Sequence, residues 1–262
     1  MRTSSPAEVG LCAALVLVTL LAGCYVPFGD TLKAKAERTD ELTAPLTNVS
    51  ALAVSTNVGA IKLEAAEVAE ARITAEITVK AKTEEEAERL LEEVRITAEP
   101  SGRTLVVKAV KPTDFGKNQL GVDFTILAPA NLALDCTTNV GDICADGFTG
   151  RVQARTDVGD IEAYGLRGGV DFYTNVGEIK AAYATDAAPA LDVSLTTNVG
   201  DIDFAGPHHI SANLTAEVNV GSIDTDRPLT VTGPIKKSIR ASLGDSEGQI
   251  KLHTNVGSIK IR

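Results

Sequence analysis

One short phrase, Thr-Asn-Val-Gly-x-Ile, keeps returning along the chain and limits what it can fold into. Full copies occupy residues 56–61, 138–143, 174–179, 197–202 and 254–259, and near copies occupy 156–161 and 218–223. From Asn139 the second position of the phrase recurs after 18, 18, 23 and 21 residues, at Asp157, Asn175, Asn198 and Asn219. A short period of this kind marks stacked units, none of which can bury its apolar face alone.

The flanks repeat as well. Three residues before the Asn or Asp stand Val54, Cys136, Ala154, Phe172, Leu195, Ala216 and Leu252, and five before stand Leu52, Leu134, Val152, Val170, Val193, Leu214 and Ile250. Alternating apolar residues describe a strand with one buried face. One residue after the Asn is always Val, and four after is always Ile. Both are read as core, so Val158 and its equivalents are expected to face inward. Asn and Gly tolerate positive φ, so the Asn-Val-Gly step reads as a sharp corner between two strands. The corner pairs are Asn57 and Gly59, Asn139 and Gly141, Asp157 and Gly159, Asn175 and Gly177, Asn198 and Gly200, Asn219 and Gly221, and Asn255 and Gly257. A strand, a corner, a strand and a return make one coil. The expected fold is all-β, a single-stranded parallel β-solenoid (β-helix), with backbone ladders between coils at roughly 4.8 Å.

One segment breaks the series. Residues 64–130 read as strand–helix–strand. Ile73, Ala75, Ile77, Val79 and Ala81 alternate with polar residues. Thr83-Glu84-Glu85-Glu86 is a capping box, and Ala87, Leu90, Leu91 and Val94 follow at helical spacing, which predicts one amphipathic helix over 83–95. Two strands follow, over 103–110 and 122–127, the second ended by Pro129. Stacked coils are expected over 131–262, uninterrupted from Leu132 to Thr225. Near the end, residues 241–245 look like a decayed corner, with Lys237 where an inward apolar residue belongs. The coil over 250–261 closes the domain. Its final strand is expected to lie open, guarded by Lys251, Lys260 and Arg262.

The start of the chain reads differently. Leu11 to Leu21 is an apolar run too short for a membrane span. It ends in Leu21-Ala22-Gly23-Cys24, which resembles the lipobox of bacterial lipoproteins. That resemblance implies a signal peptide over 1–23, cleavage before Cys24, lipid on its thiol, and a tether over 24–45 leading into a domain over 46–262. Tyr25 stands where such lipoproteins carry Asp when retained in the inner membrane, which implies the outer membrane. Removing residues 1–23 deletes Arg2 and Glu8, so the formal net charge stays at −10. That charge argues against binding nucleic acid or anionic lipid by bulk attraction. Of the remaining cysteines, Cys136 takes an inward position and Cys144 follows the inward Ile143, so two free thiols are expected rather than a disulfide.

An N-terminal coil, a strand–helix–strand segment with an acidic helix, a strand ending Ala128-Pro129-Ala130 and a series of Asn-Val-Gly-Asp-Ile corners together resemble the bacterial putative adhesin family. The resemblance covers residues 45–262. It implies a β-solenoid domain on lipoproteins or membrane-anchored proteins, with no established ligand and no catalytic residues to carry over.

Candidate chemistry is sparse. Residues 244–248 match G-x-S-x-G around Ser246, but a strand follows where a nucleophile elbow needs a helix. His208 and His209 are neighbours and would point to opposite faces of a strand, which makes a poor chelating pair. Asp142, Asp160, Glu178 and Asp201 follow the corner Gly in successive coils. Stacked, they form a column of like charge that splays into water or recruits a hard cation such as calcium. No other cofactor is indicated. The functional expectation is a non-catalytic, membrane-tethered envelope lipoprotein that binds an envelope or extracellular protein or glycan through its repetitive flank. The alternatives are a periplasmic sensor or regulatory scaffold for a membrane partner, and an enzyme acting on polysaccharide.

Overall fold

Two sheets face each other across an interior of Val, Ile, Leu and Ala side chains in a computed structural model, which describes residues 32–227 and 237–262. The apolar run over 11–21, the lipobox and Cys24 lie outside the described residues. In chain order the elements are β1 (Ala34–Pro45), β2 (Ala51–Ser55), β3 (Ile61–Ala65), β4 (Glu70–Ala81), α1 (Glu84–Glu93), β5 (Arg95–Ser101), β6 (Thr104–Val110) and β7 (Gln119–Ala128). There follow β8 (Ala133–Thr137), β9 (Ile143–Asp146), β10 (Val152–Val158), β11 (Ile161–Leu166), β12 (Val170–Val176), β13 (Ile179–Tyr183), β14 (Asp192–Val199), β15 (Ile202–Ala205), β16 (Ala212–Val220) and β17 (Ile223–Thr225). The last three are β18 (Ser238–Leu243), β19 (Gly248–Val256) and β20 (Ile259–Ile261).

Each repeat places its first strand in one sheet, turns at Asn-Val-Gly and places its second strand in the other. One sheet runs β1-β4-β7-β3-β9-β11-β13-β15-β20-β17, and the other runs β18-β16-β19-β14-β12-β10-β8-β2-β6-β5. The coils pair in parallel and in register, Val152 against Val170 and Ile161 against Ile179 for example. The residues five and three before the corner are buried in every coil, as is the Ile four after it. Burying an aliphatic side chain of this size contributes roughly 1.5–3 kcal/mol, so the repeated Ile and Val positions supply most of the cohesion between the sheets.

Three expectations need correction. The fold is not one single-stranded parallel solenoid: both sheets are mixed. β1 with β4, β4 with β7, β5 with β6 and β16 with β18 are antiparallel. Parallel coils fill the middle, and antiparallel strands finish three of the four sheet ends, the fourth being the parallel β17. Residues 34–45 are not tether but the twelve-residue β1, paired along its length with β4. Its mixed charge reflects an edge strand with little to bury, only Ala36 and Ala44 being inside.

The third correction concerns the C-terminal coil. β19 lies between β14 and β16, and β20 lies between β15 and β17. The last coil in sequence is thus inserted beneath the one before it. Lys260 sits between Asp203 and Asp224 on the neighbouring strands, and Arg262 pairs with Asp203. These charges form cross-strand pairs and do not guard an edge. Among the described residues the edge at this end is the three-residue β17, whose shortness limits further pairing. The stretch from 238 to 243 is no decayed corner but the antiparallel β18, with Ile239 and Ala241 inward. Lys237 points out and donates to Asn219 O at 2.7 Å.

The helix closes the other end. Thr83 caps α1 by accepting from Glu86 N at 3.2 Å. The Glu86 carboxylate turns aside to accept from Asn118 Nδ2, so the capping box is only half made. Arg38 on β1 donates to Leu91 O and Val94 O at the helix C-terminus while paired with Asp40. It satisfies carbonyls that a helix end leaves without partners. Ala87, Leu90 and Leu91 pack inward from α1, which lies against β1 and β4.

Both described thiols are free. Cys136 is buried and Cys144 partly so. Burial pushes the Cys136 thiol up to about 12 from 9.0. A native thiol that stays protonated while the unfolded one ionises loses stability as pH rises through that window. A thiol reagent at pH 8 should therefore modify Cys144 and spare Cys136 until the protein unfolds, as peptide mass spectrometry would read. Gly159→Ala supplies the test of the stacking itself. A Cβ there would lie 2.1 Å from Gly141 O, whereas at Gly102, also at positive φ, it meets nothing within 4 Å. We expect Gly102→Ala to cost about 1 kcal/mol and Gly159→Ala clearly more, by urea denaturation.

Candidate functional site

The corners stack into columns, and each position of the phrase forms one. The Thr column is internal. Thr138, Thr156, Thr174, Thr197 and Thr254 are buried, and each hydroxyl donates to the corner Gly carbonyl of the coil below at 2.9–3.1 Å. The alternation that puts residues five and three before the corner inside also puts this Thr inside. Sequence reasoning treated it as part of the phrase and missed the role. The outermost coil carries Val218 at this position and lacks the hydroxyl.

The Asn column is external. Asn139 donates its side-chain amide to Asn57 at 2.7 Å, Asn255 to Asn198 at 2.8 Å and Asn219 to Asn255 at 2.6 Å, and Asn198 donates to Asn175. A side-chain amide carries both donors and an acceptor, so it can pass a hydrogen bond from coil to coil. Asp157 has no donor and sits where the ladder breaks between Asn139 and Asn175. The Gly column has φ between 136° and 156° at all seven corners, and an added Cβ would lie 1.8–2.1 Å from a carbonyl oxygen of the neighbouring coil. Only glycine allows that approach.

The carboxylate column turns inward on the backbone. Asp142 Oδ1 accepts from Asp160 N at 2.9 Å, Asp160 Oδ1 from Glu178 N at 2.7 Å, and Asp201 Oδ1 from Ser258 N at 2.7 Å. Asp123 on β7 does the same for Ala60 N at 2.7 Å, a member that sequence reasoning missed because no Asn-Val-Gly precedes it. Glu178 is longer and pairs instead with Lys180, which also donates to Glu162. Those two partners, Glu162 first, hold the Lys180 ammonium above its usual range, and Lys180 in turn lowers the Glu162 carboxyl. The like charges are thus spaced by amide partners along the column. Among the described residues no group of three or more His, Cys, Asp or Glu side chains converges as metal ligands would.

The fourth column overturns an expectation. Val58, Val140, Val158, Val176, Val199, Val256 and Val220 stack in that order, each 41–62% exposed. They do not join the core. The corner consumes the turn at Asn, so Asn and Val both end outside, and the inward register resumes at Ile. The outcome is an apolar ridge roughly 29 Å long at ~4.8 Å per coil, with Asn on one side and carboxylates on the other.

The remaining candidates lie elsewhere. Ser246, at φ 59°, sits in the turn between β18 and β19, its N–H bonded to Leu243 O, and β19 follows directly. That is strand–turn–strand geometry, without the helix a nucleophile elbow uses. His208 and His209 are both exposed in the connection between β15 and β16.

A stack of two-strand coils held by corner ladders, with antiparallel strands and one helix at its ends, defines a β-solenoid-like module. Residues 38–262 match the Toastrack DUF4097 family, and the chain belongs to that family. Among solved structures, the chain is similar to a putative cell adhesion protein from Clostridium sporogenes, at 12% identity and a TM-score of 0.45 over 86% of this chain and 99% of that one. It is similar to a putative adhesin from Bacteroides fragilis, at 15% identity and 0.42 over 88% and 98%. A putative lipid binding protein from Parabacteroides distasonis aligns at 12% identity and 0.36 over 86% and 96%. No curated protein matches the sequence.

The corrected register makes a sharp prediction. Val158→Asp places a charge at a half-exposed site and should cost less than about 1 kcal/mol, as surface changes do. Ile161→Asp, three residues on, buries an unpaired charge and should leave the protein unfolded or several kcal/mol weaker. Equal costs in thermal melts would refute the assignment of Val158 to the outside.

Proposed function

We propose that the protein is a non-catalytic binding module of the cell envelope. It is held to a membrane by lipid on Cys24 and engages a protein or glycan through the corner ridge. The observation that carries this reading is the ridge of seven stacked, half-exposed valines. Single exposed apolar residues are ordinary on a folded protein, whereas a continuous apolar strip edged by polar groups is the usual composition of a contact surface. The ridge is also stiff. Every corner is tied to its neighbours by backbone bonds, and most also by Thr or carboxylate bonds, so little conformational freedom is lost when the ridge docks. Asn side chains on one flank and carboxylates on the other offer the polar rim that gives such a contact its direction.

The lipobox at Leu21–Cys24 supports the anchor, and the family supports the adhesin-type module. The test uses the full chain in cells that carry it. Cys24→Ser should release the protein from the membrane fraction. Protease shaving of intact cells should remove it if the ridge faces outward, whereas a periplasmic scaffold would be spared. Replacing Val158, Val176 and Val199 together by Ser should abolish attachment to host protein or glycan surfaces while the melting temperature stays within a few degrees. Undiminished attachment by the triple variant would sink the ridge as the binding face, and turnover of a glycan by the wild type would sink the non-catalytic reading.

A further inference from the structure

At the Val58 end the ridge runs into a cleft of about 940 Å3. Four lysines from four different elements line it: Lys35 of β1, Lys80 of β4, Lys108 of β6, and Lys111 from the connection between β6 and β7. The sole acidic lining residue is Asp123, and one of its carboxylate oxygens already accepts from Ala60 N. In a chain of net charge −10 this is a local reversal of sign.

Part of the arrangement works against folding. Lys35 and Lys80 stand directly opposite each other in the antiparallel β1–β4 pair. Like charges at that position are destabilising. Lys35 has Glu37 beside it, but no carboxylate among the described residues lies within ion-pair distance of Lys80, Lys108 or Lys111. Lys111 instead lies 5.8 Å from the ring centre of Phe115, a residue that forms part of the wall together with Val58. The cleft thus combines four lining lysines with apolar lining from Val58 and Leu120, and its volume lies in the range of sites for small ligands.

We propose that this cleft binds a phosphate-bearing ligand, with the phosphate among the lysines and an uncharged body against Val58 and Leu120. Phosphate is favoured over carboxylate because the cleft offers point charges and no arginine fork, which is the usual planar partner of a carboxylate. A phospholipid headgroup and a soluble phosphorylated compound share this chemistry. The site shares Val58 with the end of the ridge, but the ridge variant replaces Val158, Val176 and Val199 and the cleft variant Lys80 and Lys108, so each can fail without the other.

The experiment measures binding of the full chain to inorganic pyrophosphate by calorimetry. Sedimentation with phosphatidylcholine vesicles, with and without phosphatidylglycerol, forms a second arm. The pure phosphatidylcholine vesicles account for attachment by the N-terminal apolar run. Lys80→Gln with Lys108→Gln should weaken pyrophosphate binding, or the phosphatidylglycerol-dependent sedimentation, at least tenfold. The charge-matched pair Arg240→Gln with Lys251→Gln, on β18 and β19, eight and six strands from β6 in the same sheet, should change neither by more than twofold. Binding in the vesicle arm alone identifies a headgroup, and binding in the soluble arm alone identifies a free phosphate compound. No binding in either arm, or equal loss in both double variants, overturns the proposal.

Discussion

The structure depends on one close approach, the corner glycine of each coil against the corner carbonyl of the next. With a hydrogen in place of a Cβ, the backbones stack at strand spacing through the turn as well as along the strands. The bonds then continue around the bend: Gly159 N to Val176 O, Ile161 N to Glu178 O, and Thr174 Oγ1 to Gly159 O. A solenoid usually loses its ladder at the corners, where amides and carbonyls must find water. Here Thr, Asn and Asp side chains supply the missing partners from within the phrase. Each letter of the repeat meets a separate need, which is why the phrase recurs while the intervening residues vary.

The ends follow from the same logic. A parallel stack exposes a row of unpaired backbone groups at each terminus. At one end the chain covers them with β1, β4, β5 and α1, the helix being tied to β1 by Arg38. At the other it uses β18 and the short β17. Inserting β19–β20 under β16–β17 puts a complete Thr-Asn-Val-Gly copy in the interior and leaves the copy lacking the Thr hydroxyl outermost. The insertion also makes the final contacts long-range in sequence, since Val193 pairs with Ile250. Contacts of that kind slow folding because the loop must close before they form.

Much of this was legible in the residues. The positions five and three before the corner and the Ile four after it all proved buried, and the helix expected over 83–95 spans Glu84–Glu93. What escaped has identifiable physical causes. Alternation fixes the face only while a strand stays straight, so it could not say where Val158 points once the chain bends at Asp157. The order of coils is invisible because Val256 and Val220 carry the same phrase and either could follow Val199. β1 was hidden by its charges, which suit an edge strand and a tether equally well. The lysine cleft escaped for a different reason. Its four side chains are scattered from Lys35 to Lys111 and meet only because β1, β4 and β6 end near the same corner.

That cleft also qualifies what net charge can say. A formal charge of −10 governs the field felt at a distance, and at physiological ionic strength that field decays over about 8 Å. Inside that range a ligand meets the local charges, and here those are ammonium groups with one carboxylate already bonded to an amide. The two scales act in opposite directions on an anion. Repulsion at long range slows its approach, while attraction at contact slows its departure. Added salt relieves the first and weakens the second, so for such a site the association rate and the affinity should respond to salt with opposite sign. A uniformly basic surface would lose both together. The asymmetry also favours ligands held close to the cleft over those that must diffuse in from solution against the field of the whole molecule.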